Sequence, residues 1–332
     1  MDKELDTKRH LRSTRHNRRA SRIVPLRSAR GREGLALLPS LLNYIGGKFR
    51  LLPQILPHFP GQLDTFVDLF CGGCNVGLNV SAEAVLFADS NPQLIRLCQT
   101  FQTMRPDSVF ERVRAIIKDY GLSESSEHSY AHYGCDSSDG LGAANRDAFL
   151  RLREAYNQSD RSDYISLFIL LVYAFNNQIR FNSRGEFNLP VGKRDFNGKM
   201  QRKLGAFLDR LHSGTYSFLR QDFRDFDPSS LTERSLVYCD PPYLLTCAPY
   251  NEQGGWREED ELDLFAFLDS LSRKGVRFAL SNVLSCKGER NPLLAAWAKN
   301  YRVIPLDYNY RNANYQRRDR TKSTEEVLVL NY

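Results

Sequence analysis

The tetrapeptide Asp240-Pro241-Pro242-Tyr243 directly follows a short apolar run, Leu236–Cys239. Two prolines remove two backbone donors and stiffen the chain, so the Asp240 carboxylate and the Pro241 carbonyl become free acceptors at the end of a predicted strand. Two adjacent acceptors suit an exocyclic amino group, which offers two donors, and the Tyr243 ring could stack on a base that has left its helix. The structural alternative is a strand followed by a stiff turn.

A glycine-rich turn, Asp68-Leu-Phe70-Cys-Gly72-Gly73-Cys74, ends an earlier apolar run, Leu63–Phe70, and Asp89 ends the next run, Val85–Ala88. Missing side chains let a ligand approach the backbone of such a turn, and an acid after the second strand commonly binds a ribose hydroxyl pair. Together they indicate an adenosine-containing ligand. The spacing differs from G-x-G-x-x-G, which disfavours a dinucleotide. The alternative role for Asp89 is that of a helix cap.

Two further patterns exclude other chemistries. The segment Asn43–Lys48 carries a glycine pair before a lysine, but the full Walker pattern and a preceding strand are missing, which excludes an NTPase. Cys71 and Cys74 form a CxxC without a second pair, and the six histidines show no ligand spacing, so no metal site is expected.

These residues need elements that position them. Apolar runs predict strands over Leu63–Phe70, Val85–Ala88, Leu236–Cys239, Val303–Leu306 and Val327–Leu330, and the alternation of Val276, Phe278 and Leu280 predicts another. Leu264, Leu268 and Leu271 share one stripe of a helix over Leu262–Leu271, for which Gly275 is a natural stop. Strands that alternate with helices predict a largely parallel α/β sheet covered on both faces.

The middle of the chain has a different pattern. Helices are predicted over Ala143–Tyr156 and Asp163–Asn176, after a loop rich in Ser, Gly and Asp over Ser123–Gly142. Between Arg180 and Arg210 there are eight Lys/Arg and three acids, with phenylalanines interleaved. Bases mixed with flat rings suit a surface that meets phosphates and stacked bases, although such a run can also be a solvated face. A helical, loop-rich insertion therefore interrupts one α/β domain.

Composition limits the class of protein. The 332 residues are 42% hydrophobic and 26% charged, which excludes a disordered or fibrous chain. The longest apolar stretch, Ile165–Phe175, has 11 residues, too few for a membrane span, and is expected to be a buried core helix. The N-terminus lacks the apolar stretch of a secretory signal, and seven cysteines without framework spacing favour a reducing cytosol.

Positive charge is concentrated at the N-terminus. Residues 1–32 hold 11 Lys/Arg and three acids, whereas the whole chain has a net charge of only +7. This tail has little apolar content and no helical periodicity, so we expect it to be disordered. The alternatives are an arm that binds phosphates and, equally, a solvated extension or a misplaced start codon. The three acids in the first six residues disfavour a transit peptide. A second basic cluster, Arg311–Lys322 with Tyr315, is either a surface that binds phosphates or a solvated face.

Five motifs in a fixed order together resemble the Dam-type (D12 class) DNA adenine-N6 methyltransferases, over about residues 41–332. In chain order they are Asn43-Tyr-Ile-Gly-Gly-Lys48, Asp68-x-Phe-x-Gly72, Asp89, Arg180-Phe-Asn-x-x-Gly185-Glu-Phe-Asn-x-Pro190-x-Gly192 and Asp240-Pro-Pro-Tyr243. Two departures from the family pattern stand out. Cys74 occupies the place of the second glycine of the turn, and Asn177-Gln178 replaces a Gly-Leu pair of enzymes that read GATC.

The resemblance implies a Rossmann-like sheet that binds S-adenosyl-L-methionine, with an inserted helical, loop-rich target-recognition domain. The expected division is a basic tail over 1–34, a catalytic domain over 35–100 and 216–332, and a DNA-recognition insertion over 101–215. The partner is double-stranded DNA, and a cognate restriction endonuclease that acts on the same site is compatible with the family. We expect a monomer in the bacterial cytosol or nucleoid, with no membrane partner.

The resemblance also implies roles for single residues. The catalytic group is Asp240, Pro241, Pro242 and Tyr243. The cofactor is expected to contact Tyr44, Lys48, Asp68, Phe70, Gly72, Asp89 and Asp240. DNA is expected to contact Phe175, Asn176, Arg180, Asn182, Pro190, Lys193 and Arg194, with Arg180 and Pro190 at bases and Phe175 propping the gap left by the flipped base.

The expected reaction is direct displacement on the donor methyl group by the N6 amine of a flipped adenine, held by Asp240 and the Pro241 carbonyl. Three alternatives stay open: methylation of cytosine N4, methylation of an RNA adenine, and a catalytically silent DNA-binding protein. Related cytosine enzymes more often begin the motif with Ser and RNA enzymes with Asn, so Asp240 favours DNA adenine.

Overall fold

The computed structural model describes residues 36–44, 46–245, 255–307 and 324–332. Leu37–Tyr332 forms one compact unit. The tail over 1–34 and the basic cluster Arg311–Lys322 lie outside the described residues. The expectations about them therefore stay predictions.

The described residues form one sheet of eight strands. The strand order is β3-β2-β1-β4-β5-β8-β7, and β6 pairs with β5. The strands are β1 (Thr65–Asp68), β2 (Ala84–Asp89), β3 (Tyr216–Arg220), β4 (Ser235–Cys239), β5 (Arg277–Cys286), β6 (Glu289–Arg290), β7 (Arg302–Leu306) and β8 (Thr324–Leu330).

The first five strands in chain order are parallel, whereas β8 runs antiparallel to both β5 and β7. The order β3-β2-β1-β4-β5 is that of the doubly wound nucleotide-binding sheet, in which ligands bind at the carboxyl ends of the strands. The predicted Rossmann-like α/β sheet is confirmed. All predicted strands are present within a few residues of their expected bounds.

Helices cover both faces of the sheet. They are α1 (Leu52–Ile55), α2 (Pro92–Thr103), α3 (Pro106–Tyr120), α4 (Gly142–Gln158), α5 (Tyr164–Tyr173), α6 (Gly198–Ser213), α7 (Glu258–Arg273) and α8 (Pro292–Trp297). Alternate strand residues enter two separate cores. Phe66 packs on the side of α2, α3, α5 and α6, while Val67 packs on the side of α7 and α8. The sheet is thus buried on both faces, as parallel sheets require.

The helical, loop-rich segment lies in the crossover between the neighbouring parallel strands β2 and β3. Its central helix is α5, which is almost entirely buried and packs against α2, α3 and α4. The prediction of a buried core helix is confirmed. Its predicted end at Asn176 was wrong, because Ala174 already has extended backbone geometry and the helix stops at Tyr173.

Helices α2, α3 and α6 and strand β3 were missed by the sequence analysis. Strand β3 buries only Phe218, because it lies at the edge of the sheet. Its pattern therefore lacks the apolar run that marks the central strands. The division into a catalytic domain and a DNA-recognition insertion stays a prediction.

Asp68 ties the end of β1 to the glycine-rich turn. Its side chain is buried, and Oδ2 accepts a hydrogen bond of 3.0 Å from the amide of Gly77. The pKa of Asp68 is raised to about 7, mainly by burial and to a smaller extent by the nearby charges of Asp240 and Asp89, while the Gly77 amide opposes the shift. The carboxyl group therefore takes up a proton on folding in mildly acidic solution.

We expect Asp68→Asn to flatten the dependence of stability on pH. A folded-state pKa raised from 3.8 to about 7 gives stability that is present at low pH and is lost as the pH rises through that window. The loss amounts to about 4 kcal/mol at most. Asn still accepts from Gly77 but has no charge to bury. Urea unfolding at pH 5 and pH 8 measures the difference.

The matched control is Asp225→Asn, which changes an exposed carboxylate. This variant should follow the unaltered chain at both pH values. If the stability of Asp68→Asn changed between pH 5 and pH 8 as much as that of the unaltered chain, the buried carboxyl group would not be the source of the pH dependence.

Candidate active site

Four acidic side chains meet at one edge of the sheet. Strand β1 ends at Asp68 and β2 ends at Asp89, while Asp240 directly follows β4, which pairs with β1. Because β8 is antiparallel, its first residues lie at this same edge, and Glu326 pairs in register with Val283 near the end of β5. The topology thus brings together three acids that were predicted and one that was not.

Lys48 is the cation of this cluster. Its Nζ lies 2.8 Å from Oδ1 of Asp240 and 3.5 Å from Oε1 of Glu326, and it donates to the carbonyl of Gly46 at 2.9 Å. The residue is only 4% exposed. An ammonium group in such a place is costly unless it is paired and hydrogen-bonded, and here it is both. The structure therefore places Lys48 against the predicted catalytic carboxylate.

Tyr243 closes the cluster into a ring of contacts. Its hydroxyl donates to Oδ1 of Asp240 at 2.8 Å and lies 3.1 Å from Oε1 of Glu326, and the Lys48 ammonium lies 5.0 Å from the centre of its ring. Burial and the two carboxylates raise the pKa of Tyr243 well above its usual range, so the phenol stays neutral. One hydroxyl proton therefore faces two carboxylate oxygens.

The contacts of Asp240 are concentrated on one of its two oxygens. Oδ1 receives both Lys48 and Tyr243. Among the residues that the structure describes, no hydrogen bond is made to Oδ2 of Asp240 or to the carbonyl of Pro241. These are the two acceptors that the sequence predicted for an amino group, and Asp240 is 18% exposed.

Glu326 was missed by the sequence analysis. Burial raises its pKa, and the charge of Asp240 adds to this, while Lys48 opposes it. The signal in the sequence that could have found it is an acid directly before the apolar run Val327–Leu330, and in the structure this acid is 3% exposed. An acid is rarely buried without a partner, so its position indicated a charged neighbour.

Asp89 holds the glycine-rich turn. Its Oδ2 accepts from the amide of Gly72 at 3.0 Å, and its Oδ1 accepts from the amide of Asn91 at 2.9 Å. Burial raises the pKa of Asp89, and these two amides lower it. Each carboxylate oxygen can accept a second hydrogen bond, so the group keeps capacity for a hydroxyl pair.

The turn itself requires unusual backbone geometry. Gly72 has a φ of +44°, and a Cβ there would lie 2.8 Å from the ring of Tyr44, so only glycine fits. Cys74, which replaces the expected second glycine, has a φ of 59°, a left-handed conformation. The departure from the family motif thus retains the left-handed backbone at a small energetic cost.

Phe70 joins an aromatic cluster beside the turn. Its ring centre lies 5.5 Å from that of Phe223 and 5.9 Å from that of Trp256. The indole of Trp256 donates to buried Glu261 at 3.1 Å, which fixes the ring. The cluster offers partly exposed flat faces near the ends of β1 and β2.

A cavity of about 450 Å³ opens beside the cluster. Its lining includes Tyr44, Lys48, Lys203, Tyr243 and Glu326. Of the seven predicted cofactor contacts, Tyr44 and Lys48 line it. The other five, Asp68, Phe70, Gly72, Asp89 and Asp240, lie at the same edge but do not line this cavity.

The loop over residues 174–192 follows α5 and carries five of the seven predicted DNA contacts. The amide of Phe175 donates to the carbonyl of Pro190 at 2.9 Å, and the Phe175 side chain is 52% exposed. Gly192 lies so close that an added Cβ would stand 2.5 Å from the carbonyl oxygen of Ala174. Asn176 has a φ of 58°, and the side-chain amide of Asn43 donates to the backbone carbonyl of Asn176 at 3.5 Å. The loop is therefore joined to the segment that lines the cavity.

The polar residues predicted to contact DNA differ in their availability. Arg180 is partly exposed and donates to the side chain and the carbonyl of Asn188, at 2.9 and 3.3 Å. Both ends of the Asn182 amide are engaged within the loop. Lys193 donates to the carbonyl of Ser138 at 3.0 Å, and Arg194 is exposed. Lys193 and Arg194 are thus exposed to solvent, whereas Arg180 is partly exposed and is held by Asn188.

Two kinds of feature are absent from the described residues. No group of three or more His, Cys, Asp or Glu side chains is arranged to hold a metal ion there. No helix in the described part of the chain has the length and apolar character needed to cross a membrane.

Comparison with known proteins identifies the family. Residues 44–312 match the model of the D12 class N6 adenine-specific DNA methyltransferase. The Type II methyltransferase M.FokI of Planomicrobium okeanokoites is 38% identical over 301 residues, which are 89% of this chain and 43% of that protein. The modification methylase StsI of Streptococcus sanguinis is 37% identical over 316 residues, 93% of this chain and 45% of that protein. This chain thus spans less than half the length of these two relatives.

A solved rRNA methyltransferase, aviRa from Streptomyces viridochromogenes, is similar at a TM-score of 0.33 and 12% identity, over 88% of this chain and 89% of that one. That score is too low to bear on fold or function. The family model, in contrast, spans most of the chain and contains the glycine-rich turn, the 174–192 loop and Asp240. The chain belongs to the D12 class N6 adenine-specific DNA methyltransferase family.

Proposed function

We propose that this protein transfers a methyl group from S-adenosyl-L-methionine to N6 of an adenine that is flipped out of duplex DNA at a specific site. The observation that carries the proposal is the contact pattern of Asp240. Its Oδ1 is occupied by Lys48 and Tyr243, whereas neither its Oδ2 nor the carbonyl of the next residue, Pro241, receives a hydrogen bond from the described residues. This pair of acceptors matches the two hydrogens of an exocyclic amine.

The residues at the sheet edge fit the methyl donor. The donor bears a sulfonium and an ammonium group, which carboxylates favour, and a ribose with two hydroxyls. Asp240 and Asp89 supply carboxylates at the edge, and Gly72 admits close approach to the backbone. Phe70 and Trp256 offer flat faces for an adenine ring. When bound, the donor supplies an activated methyl group.

The chain's own residues then position the amine. Oδ2 of Asp240 and the Pro241 carbonyl accept its two hydrogens, which raises the electron density on nitrogen. Lys48 and Tyr243 hold the other oxygen of Asp240 and fix the plane of the carboxylate. Positioning and electrostatics then account for the rate, with no covalent enzyme intermediate. The proton that nitrogen loses passes to Oδ2 of Asp240 or to solvent.

The alternatives differ in the acceptor. Cytosine N4 and an RNA adenine also present an amino group, and a silent homologue would bind DNA without transfer. The family to which the chain belongs and the presence of Asp240 favour DNA adenine over all three. The names of the two relatives, a Type II methyltransferase and a modification methylase, support a role beside a restriction endonuclease. A monomer is sufficient for this chemistry.

The 174–192 loop and the residues after it are proposed to read the DNA. Phe175 is exposed on a loop that is anchored to α5, which suits insertion beside a flipped base. Arg180 would contact a base edge, since arginine pairs with guanine through two donors. Lys193 and Arg194 would contact phosphates. Asn176, Asn182 and Pro190 would shape or line this contact.

Replacing Asp240 with Ala should slow methyl transfer about 100-fold or more, because an acceptor that acts in the transition state is lost. The assay incubates the protein with unmethylated genomic DNA and tritiated donor, and sequencing then maps the modified bases. Label on N6 of adenine at one recurring sequence is the expected result for the unaltered chain.

The control for this series is Asp225→Asn, an exposed acid outside the site. Near-normal transfer by Asp240→Ala would refute the assignment of this carboxylate. Label on cytosine, label on RNA alone, or tight DNA binding without any transfer would each replace the proposed function with the corresponding alternative.

Arg180→Ala and Arg194→Ala should weaken DNA binding in different ways. Loss of a phosphate contact at Arg194 should lower affinity for all sequences and reduce the salt slope by about 0.9. Loss of Arg180 should instead relax selectivity at one base pair, by about 1–3 kcal/mol. Binding to specific and unrelated duplexes over a salt series separates the two effects, with Arg302→Ala on the exposed part of β7 as the control. Equal loss on both duplexes for Arg180→Ala would argue against base reading.

A further inference from the structure

Glu326 shares both partners of the proposed catalytic carboxylate. Its Oε1 lies 3.5 Å from Nζ of Lys48 and 3.1 Å from the hydroxyl of Tyr243, the two groups that also hold Oδ1 of Asp240. The side chain is 3% exposed and comes from β8, an element far from Asp240 in sequence. Nothing in the five motifs of the family resemblance includes it.

Asp240 and Glu326 compete for the single hydroxyl proton of Tyr243. The phenol of Tyr243 has a single proton, and it can donate that proton to Asp240 or to Glu326 but not to both at once. The ammonium of Lys48 lies nearer to Asp240, at 2.8 Å, than to Glu326, at 3.5 Å. The negative charge of Glu326 nevertheless offsets part of the positive charge of Lys48. An ionised Glu326 therefore leaves Asp240 less neutralised than it would be beside Lys48 alone.

We propose that Glu326 is a positioning residue of the methyl-transfer site, which holds Lys48 and Tyr243 and, when ionised, strengthens Asp240 as the acceptor for the substrate amine. The inference rests on the proposed function, which it deepens. The proposed effect of Glu326 is exerted through its contacts with Lys48 and Tyr243. Its effect should accordingly appear in the rate of transfer and not in the binding of DNA.

The electrostatic surroundings give the effect a direction in pH. The charged and titratable groups that face Glu326 in the described structure are Lys48, Asp240, Tyr243 and Tyr238. Burial raises the pKa of Glu326 above its usual value of 4.5, so the residue loses its charge on mild acidification. Glu326 should therefore strengthen Asp240 as an acceptor at higher pH, and this effect should be lost as the pH falls.

The test compares Glu326→Gln with Glu325→Gln. The control residue is the next glutamate on the same strand, but it is exposed, and its Oε2 accepts from the hydroxyl of Ser285 at 3.2 Å. Methyl transfer to a duplex that contains the mapped site is measured from pH 5 to pH 9, with kcat and the KM for DNA determined separately. Thermal melting establishes that each variant is folded.

Glu326→Gln should lower kcat about 10-fold at pH 8, the lower end of what partners that orient a directly acting group contribute. Its KM for DNA should not change. The deficit should shrink as the pH falls, because the unaltered chain then loses the charge that the variant lacks. Glu325→Gln should behave as the unaltered chain, and Glu326→Asp, which keeps the charge on a shorter side chain, should recover part of the rate.

Three outcomes would overturn the inference. A Glu326→Gln variant with normal kcat across the range would show that the charge has no role. A deficit of the same size at every pH would show a role in packing only, as would a rise in the KM for DNA with normal kcat. If the unaltered chain transferred no methyl group at all, the proposed function would fail first, and the inference would fail with it.

Discussion

The site depends on one buried ammonium group between two carboxylates. Lys48 pairs with Asp240 and Glu326 and donates to the carbonyl of Gly46. Taking a charge out of water is costly, and the two carboxylates together offset that cost. The three charged residues lie in distant parts of the sequence and meet only when β4 and β8 are in place. Assembly of the cluster is therefore coupled to completion of the sheet.

The antiparallel strand explains how an acid from the end of the chain reaches the site. Parallel strands deliver their carboxyl ends to one edge, where Asp68, Asp89 and Asp240 lie. A further parallel strand would place its first residues at the opposite edge. Because β8 is antiparallel to β5, its first residues, including Glu326, lie at the edge where β4 ends. The reversal of one strand thus adds a fourth carboxylate, and the cation Lys48 balances part of the resulting charge.

The sequence predicted the parts of the site that are local. Asp89 and Asp240 stand directly after apolar runs, and a strand end is visible in a short window of sequence. The partners of Asp240 could not be predicted in this way, because pairing of Lys48 with Glu326 depends on strand order and direction. Strand β3 was missed for a related reason: at the sheet edge it buries little more than Phe218, so its pattern resembles a loop. Long-range topology, and not local propensity, is what the sequence alone left undetermined.

The 174–192 loop is held by a different kind of interaction from the site. The side chain of Asn177 donates to the carbonyls of Leu171 and Val172 at 3.0 and 2.6 Å and so caps the end of α5, while Asn157 of α4 pairs with the backbone of Phe187. These contacts satisfy the backbone without drawing on the sheet. The Asn177-Gln178 departure from the family pattern falls on one of these contacts, because Asn177 is the residue that caps α5. In the proposed function, the residues that would select the DNA target are supported by helices, and those that would position the amine are supported by strands.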